Sequence, residues 1–491
     1  MNILFIDIDT LRPDHMGCYG YGRDTSPNMD RIAKEGVRFT NYYCSDAPCL
    51  PSRASLASGM LGIHHGAVGH GGTAADMRII GSERNFRDGN NVNNIWNIFR
   101  KAGLYTASVS TFAERHSSYW FDAGFHEMHN VGKGGLESGE LVLPVALDWL
   151  DRRGGRGNWF LHVHLWDPHT PYRAPAEFGN PFEDVPLNNW IDEDVLKLHL
   201  AHVGPHCINE INMYNSDESA EYPRHPGSAK DLAGVKRVFD GYDCGVRYAD
   251  ALVGKVFDKL KALGIYDDTA IIITSDHGEN LGELGIYAEH ATADYATCRV
   301  PMIVKWPGAR AGYVDGGLRY NIDLAPTLAE LLGVGAYDKW DGQSYAAAVT
   351  GGEAPGREYL VISQMAHVCQ RSVRFGDWLY IRTYHDGLHL FDKEMLFNIK
   401  DDPYEQRNVA ASNAEICMRG AKYLFDWFDD MMTVSDSTVD PMRTVLAEGG
   451  PFHSRGHLDS YCARLEATGR GEGAALLRKR RSDGWRFSNG G

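Results

Sequence analysis

Short apolar runs alternate along this chain with segments whose apolar residues recur every three or four positions, the pattern of strands interleaved with helices in an α/β domain. Ile3–Ile8 reads as the first strand. Asn91–Ala102 has helical spacing (Val92, Ile95, Ile98, Phe99), and Tyr105–Ser110 follows as a strand. Leu141–Leu150 reads as a helix feeding the strand Trp159–Leu165. From Val235 to Leu263 the spacing predicts one long helix that stops near Gly264, before a buried strand Ala270–Thr274. The strand Met302–Lys305 and the helix Leu324–Leu332 come next.

After about residue 355 the pattern changes. Tyr359–Ser363, Arg371–Arg374, Trp378–Tyr384 and Leu388–Phe391 are short strands separated by turn residues such as Asp386-Gly387, which predicts a small antiparallel sheet. A helix, Ala414–Met432, packs after it. From about 446 the chain is rich in Gly, Arg and Ser and only weakly patterned. These shifts divide it into an α/β domain over 1–355, an α+β subdomain over 356–445 and a tail over 446–491.

Composition narrows the function. Hydrophobic residues are 43% and aromatics 11% of 491 residues, ample for a sizeable core. The formal charge of −16 excludes a general nucleic-acid surface, so an anionic substrate needs local positive charge from a metal, Arg or His. The one basic run, Arg478-Lys479-Arg480-Arg481, reads as a solvated tail. Nine cysteines, an odd number without paired spacing, read as mostly buried, reduced core residues. The chain opens directly on a strand, with no basic n-region or long apolar h-region, and no later stretch is long enough to span a membrane. The expectation is a cytoplasmic protein without a membrane partner.

Three segments carry candidate chemistry. Asp9 stands at the carboxyl end of the first strand, where open α/β sheets bind ligands, and suits a hard cation. The apolar strand Ile271–Thr274 ends in Ser275-Asp276-His277-Gly278, a carboxylate beside an imidazole that could share a metal. Cys49, in Ala47-Pro48-Cys49-Leu50-Pro51-Ser52-Arg53, lies where a loop enters a helix, in the field of the helix N-terminus, with Arg53 one turn on.

The Cys-x-Pro-Ser-Arg run resembles the signature of the sulfatases, in which a maturation enzyme oxidises the cysteine to formylglycine. The likeness extends in order through Asp9–His15, Ser26–Ala33, Gly36–Phe39, Thr274–Glu279, Arg299–Val304, Asp323–Leu328, and Asp401–Glu405 with Asn408–Ala410, roughly residues 1–430. The resemblance implies an alkaline-phosphatase-like α/β core with a mixed, mostly parallel sheet flanked by helices, and a small C-terminal antiparallel subdomain. It implies one divalent metal, calcium first, held by Asp9, formylglycine 49, Asp276 and His277, with Arg53 beside the nucleophile.

The chain departs from the family pattern at several positions. Thr10 stands where many relatives carry a second acid. His277 stands where most have Asn or Gln, although His occurs in the branch with phosphonate monoester hydrolases, and imidazole keeps manganese and zinc open. Leu50 is bulkier than the usual small residue. A family Lys-x-His is absent, with Arg115-His116 in its region, and the later substrate lysine aligns with Glu289, beside His290. His169, in Trp166-Asp167-Pro168-His169, resembles a substrate-contact histidine, and His70 sits on a Gly-rich loop able to approach an anion.

The implied reaction is in-line hydrolysis of an aryl or carbohydrate sulfate ester, with His290 or His169 protonating the leaving group and His116 releasing the sulfate. The implied partners are a small-molecule or oligosaccharide sulfate ester and a formylglycine-generating enzyme, and homo-oligomerisation stays open. Two alternatives stand beside this reading: a phosphonate monoester or phosphodiester hydrolase on the same scaffold, and a non-catalytic anion-binding protein with unmodified Cys49.

Overall fold

A computed structural model describes residues 1–78, 94–187 and 190–482. Within them the largest sheet has eight strands, in the order Tyr313–Asp315, Val37–Phe39, Met302–Lys305, Thr269–Thr274, Asn2–Ile8, Trp159–Leu165, Tyr105–Val109 and Glu127–His129. Met302–Lys305 runs antiparallel to both of its neighbours, and every other pairing in the sheet is parallel. The central strand alternates strictly. Leu4, Ile6 and Ile8 enter one apolar cluster, while Ile3 and Phe5 enter the cluster on the opposite face. Both faces are therefore covered, which is why the central strands read as continuous apolar runs.

Helix Leu232–Ala262 (31 residues) covers one face, its first turn capped by Asp231, which accepts from the Gly234 amide at 2.7 Å. Its buried polar side chains also fix the loops above the sheet. Asp250 accepts from the Asn28 and Met29 amides at the start of helix Pro27–Glu35, and Tyr242 donates to the Thr10 carbonyl at 2.7 Å. Thr10 has φ +56°, a left-handed conformation unusual for a β-branched residue, so this anchor holds strained backbone next to Asp9.

The second sheet runs Glu394–Asn398, Trp378–His385, Cys369–Phe375, Tyr359–Gln364 and Asp46–Ala47. The last strand pairs Asp46 with Ser363 and Ala47 with Gln364, which ties the segment preceding Cys49 to the C-terminal sheet. Helix Ala414–Val434 packs Leu424 and Trp427 against Val373 and Tyr380.

Several expectations are corrected. Leu388–Phe391 is a turn, because Leu388 and Leu390 have φ +77° and +57°; the edge strand is Glu394–Asn398 instead. Asn91–Asn93 of the expected helix lie outside the described residues, and Ile95–Lys101 forms it with Asn94 as cap. Beyond residue 446 the chain folds into helices Leu458–Ala467 and Gly471–Ser482, which pack Tyr461, Leu465 and Leu477 with Leu388. The basic run is accordingly not a solvated tail: Arg480 donates to Asp386 at 2.7 Å and Arg481 to the same carboxylate at 3.3 Å. None of the nine cysteines forms a disulfide, and all but the half-buried Cys18 are buried. No helix among the described residues is long and apolar enough to cross a membrane.

Candidate active site

The carboxyl ends of three adjacent parallel strands deliver the site. Asn2–Ile8 presents Asp7 and leads to Asp9, Trp159–Leu165 presents His162 and His164 and leads to His169, and Thr269–Thr274 leads to Asp276 and His277. Against them lies helix Cys49–Ser58, buried along its whole length. Its small residues allow that depth. Ser52 donates to the Asp276 carbonyl at 2.6 Å, Ser55 to Asp46 at 3.0 Å and Ser58 to the Ala54 carbonyl at 2.7 Å. Gly59 ends the helix at φ +70°, where a Cβ would stand 2.6 Å from the Trp340 ring. Cys49 is the helix's first residue, so its side chain lies at the positive end of the dipole.

Asp9, Cys49, Asp276 and His277 bring one ligand atom each to within 4.8 Å of one another. The imidazole of His277 donates from Nδ1 to the Gly278 carbonyl at 2.8 Å, so Nε2 turns its lone pair toward Cys49 Sγ (3.0 Å) and Asp276 Oδ2 (3.3 Å). Burial pushes its pKa down to about 3, which keeps the ring a neutral donor. Burial, then the Asp9 carboxylate, pushes the Cys49 thiol up to about 12.

Arg53 is fully buried and pairs with Asp7 (3.1 Å), Asp9 (3.0 Å) and Asp276, and contacts His164 Nε2 at 2.8 Å. One guanidinium thus faces three buried carboxylates. Asp7 and Asp9 are held well below the usual carboxylate range despite burial, chiefly by Arg53, whereas burial and the two neighbouring acids lift Asp276 far above it. The local excess of negative charge, the buried Asp9 Oδ1 without a hydrogen-bond partner among the described residues, and the inward lone pair of His277 together fit a divalent cation.

His169 and His290 form the rim. His169 donates from Nδ1 to the Thr170 carbonyl, which leaves Nε2 as an acceptor 4.0 Å from Cys49 Sγ, and burial holds this ring well below the ordinary imidazole pKa. His290 lies 2.8 Å from Glu289 and 3.8 Å from Glu279, and its ring stands 4.1 Å from that of His277. Burial opposes a charge on His290, but Glu289 foremost holds its pKa well above the ordinary value. Glu279, lifted by burial to about 7, also accepts from the Tyr172 hydroxyl at 3.0 Å.

The other expected residues fall elsewhere. His116 sits beside His70, their rings 5.1 Å apart, whereas His169 approaches Cys49 Sγ to 4.0 Å. His70 contacts His453 rather than Cys49. Arg115 is exposed and lies over the Trp166 ring at 5.0 Å. The sequence reading missed Asp7, His164 and Glu279. The alternation Asp7/Asp9 and His162/His164, polar residues two apart within apolar strands, was the available signal for the first two.

A family model described as Sulfatase matches residues 1–334, and one described as N-sulphoglucosamine sulphohydrolase, C-terminal, matches residues 282–420. The N-acetylglucosamine-6-O-sulfatase of Bacteroides thetaiotaomicron is 25% identical over 91% of this chain and 89% of its own. The choline-sulfatase of Rhizobium meliloti is 26% identical over 83% and 82%. Among solved structures, the phosphonate monoester hydrolase of Silicibacter pomeroyi superimposes with a TM-score of 0.68 at 21% identity, covering 90% of this chain and 97% of that one. A protein solved with its substrate D-glucosamine-2-N,6-O-disulfate gives a TM-score of 0.69 at 20% identity, with 90% and 99% covered. Alkaline-phosphatase-like core, the helix that opens with the Cys-x-Pro-Ser-Arg run and the family match agree: the chain belongs to the sulfatase family, the sulfuric ester hydrolases of the alkaline phosphatase superfamily.

Proposed function

We propose that this chain hydrolyses a carbohydrate sulfate ester, using formylglycine made from Cys49 and one divalent cation held by Asp9, residue 49, Asp276 and His277. The observation that carries this reading is the convergence of those four ligand atoms, within 4.8 Å, around the end of the Cys49 helix. The carboxylates favour calcium, while the imidazole keeps manganese and zinc as alternatives. Bound there, the cation would draw charge from an oxygen of the ester's sulfate group. Formylglycine supplies, on hydration, one hydroxyl to attack sulfur and a second to expel the sulfate afterwards.

The chain's own residues do the rest. Arg53 holds Asp9 and Asp276 in place and offsets their charge. His169, neutral and with Nε2 aimed at residue 49, accepts a proton there. His290, kept protonated between Glu289 and Glu279, donates to the leaving oxygen. Next to His169 in sequence, Thr170 opens a cavity of about 350 Å³ whose lining also includes His206, the partner of Glu289 at 3.1 Å, with Asn212, Asn215, Asp217, Ser219 and Tyr222. Amides, hydroxyls and a carboxylate match the hydroxyls of a sugar, and two of the proteins similar to this one carry sugar sulfates in their names or complexes.

The test is mass spectrometry of the peptide spanning residue 49 after co-expression with a formylglycine-generating enzyme, paired with kinetics on 6-O-sulfated N-acetylglucosamine. Formylglycine and turnover are expected, and Cys49→Ala and Cys49→Ser should both be inactive. Near-normal sulfate release from Cys49→Ala refutes the nucleophile. Faster cleavage of an aryl phosphonate ester would move the chain to the phosphonate monoester hydrolase reading, which the imidazole of His277 favours.

A further inference from the structure

A second cluster of donors lies outside the proposed catalytic set. His70, His367 and His453 come from three remote loops, and one ring nitrogen of each lies within 4.8 Å of the others. The loops are built to hold them there. A Cβ on Gly71 would stand 2.3 Å from the Phe452 ring, so the loops carrying His70 and His453 meet closely there. The Thr73 amide donates to Glu448 at 2.9 Å, and the His453 amide to the Ala366 carbonyl at 3.1 Å. Gln364 accepts from the Ala366 and His367 amides and donates to the His290 carbonyl at 3.0 Å.

The rings have few other partners. His70 Nδ1 and His453 Nε2 face each other at 3.0 Å, and His70 Nε2 is buried without a hydrogen-bond partner among the described residues. The His367 and His453 rings stack at 4.1 Å. Tetrahedral ligands bound to zinc at its usual nitrogen distance sit about 3.3 Å apart, close to the 3.0 Å between His70 Nδ1 and His453 Nε2. Glu289 lies 3.7 Å from His367 Nε2, a neighbouring negative charge that favours a cation here.

We infer that His70, His367 and His453 form a second metal site, for zinc or a similar imidazole-loving divalent ion, beside the candidate catalytic site. Three neutral imidazoles suit zinc rather than calcium, and leave a fourth position open for water or an anionic group. His290 lies between this site and the first, its ring 5.8 Å from His367 and 4.1 Å from His277.

The test uses the full chain carrying Cys49→Ala and Asp276→Ala, so that the catalytic set no longer competes, stripped by chelator and titrated with Zn²⁺ against a chromophoric competitor. One equivalent of tightly bound zinc is expected. His70→Ala or His453→Ala in that background should weaken it at least about 100-fold, more than the loss of an outer partner costs. Both rings are half-buried on loops, so these variants should fold, which melting curves check; His367→Ala is the harsher third variant. Absence of zinc uptake, or equal affinity in the histidine variants, overturns the site. Sulfate binding by the stripped protein that the same variants abolish, without zinc uptake, would assign the cluster to an anion instead.

Discussion

Arg53 is the point where charge balance, stability and the proposed metal meet, and replacing it tests all three. Arg53→Met keeps most of the apolar stem but removes the guanidinium from Asp7, Asp9 and Asp276, all 3% exposed or less. Breaking a buried pair by removing one partner costs about 3–5 kcal/mol, because the other charge stays buried. With an unfolding entropy of about 2.1 cal/mol/K per residue, 491 residues give roughly 1 kcal/mol per degree, so Tm should fall by about 3–5 °C in chelator. A bound cation compensates Asp9 and Asp276, leaving Asp7, which keeps His162 at 3.4 Å. In saturating Ca²⁺ the fall should therefore be less than half as large. Differential scanning calorimetry of both proteins in both buffers reads this out, and any packing loss is common to the two conditions and cancels. An equal fall with and without Ca²⁺ would refute the placement of the cation among these carboxylates; no fall in chelator would refute the role given to Arg53.

The parts of this structure legible in the sequence are those where one physical demand dominates. Central strands buried on both faces read as unbroken apolar runs, so Trp159–Leu165 and Met302–Lys305 were placed to the residue. Asp9, Asp276 and His277 were legible because each follows a strand's carboxyl end, and Cys49 because it begins a helix, positions that local sequence marks. The helix begins at Cys49 itself, since Pro51 in its first turn needs no amide partner and so does not break it. Leu388–Phe391 failed as a strand because apolar content says nothing of φ, and two of its leucines are left-handed. The helices Leu458–Ala467 and Gly471–Ser482 escaped notice because each buries only three residues. The His70, His367 and His453 grouping was illegible for a different reason. No local pattern announces that residues 383 positions apart will share a contact.

Four further outcomes follow from the same geometry. Asp276→Ala and His277→Ala should each lose the catalytic-site metal by elemental analysis while keeping native circular dichroism; full occupancy in either removes that residue from the ligand set. His290→Ala should slow a sugar sulfate by about 10²–10⁴-fold but an activated nitrophenyl sulfate far less, because only a poor leaving group needs the proton; equal losses would make His290 a positioning residue. Tyr242→Phe deletes the donor to the Thr10 carbonyl and the acceptor for the Arg12 amide, both buried, and should cost about 1–3 kcal/mol, read as a Tm lower by a few degrees. Glu289 makes the most discriminating target, because one carboxylate serves both sides of the pocket: it lies 2.8 Å from His290, 3.1 Å from His206 and 3.7 Å from His367. Glu289→Gln keeps the shape and removes the charge. On the catalytic side His290 loses the neighbour that most favours its protonated form, so the sugar sulfate should suffer as in His290→Ala while the nitrophenyl sulfate is spared. On the other side His367 loses a neighbouring carboxylate charge, and zinc affinity should fall by up to about 10-fold, the low end of the penalty for losing an outer partner. A variant that loses turnover but binds zinc like the parent would confine Glu289 to the acid's side, and unchanged turnover with weakened zinc would show that His290 holds its proton without it.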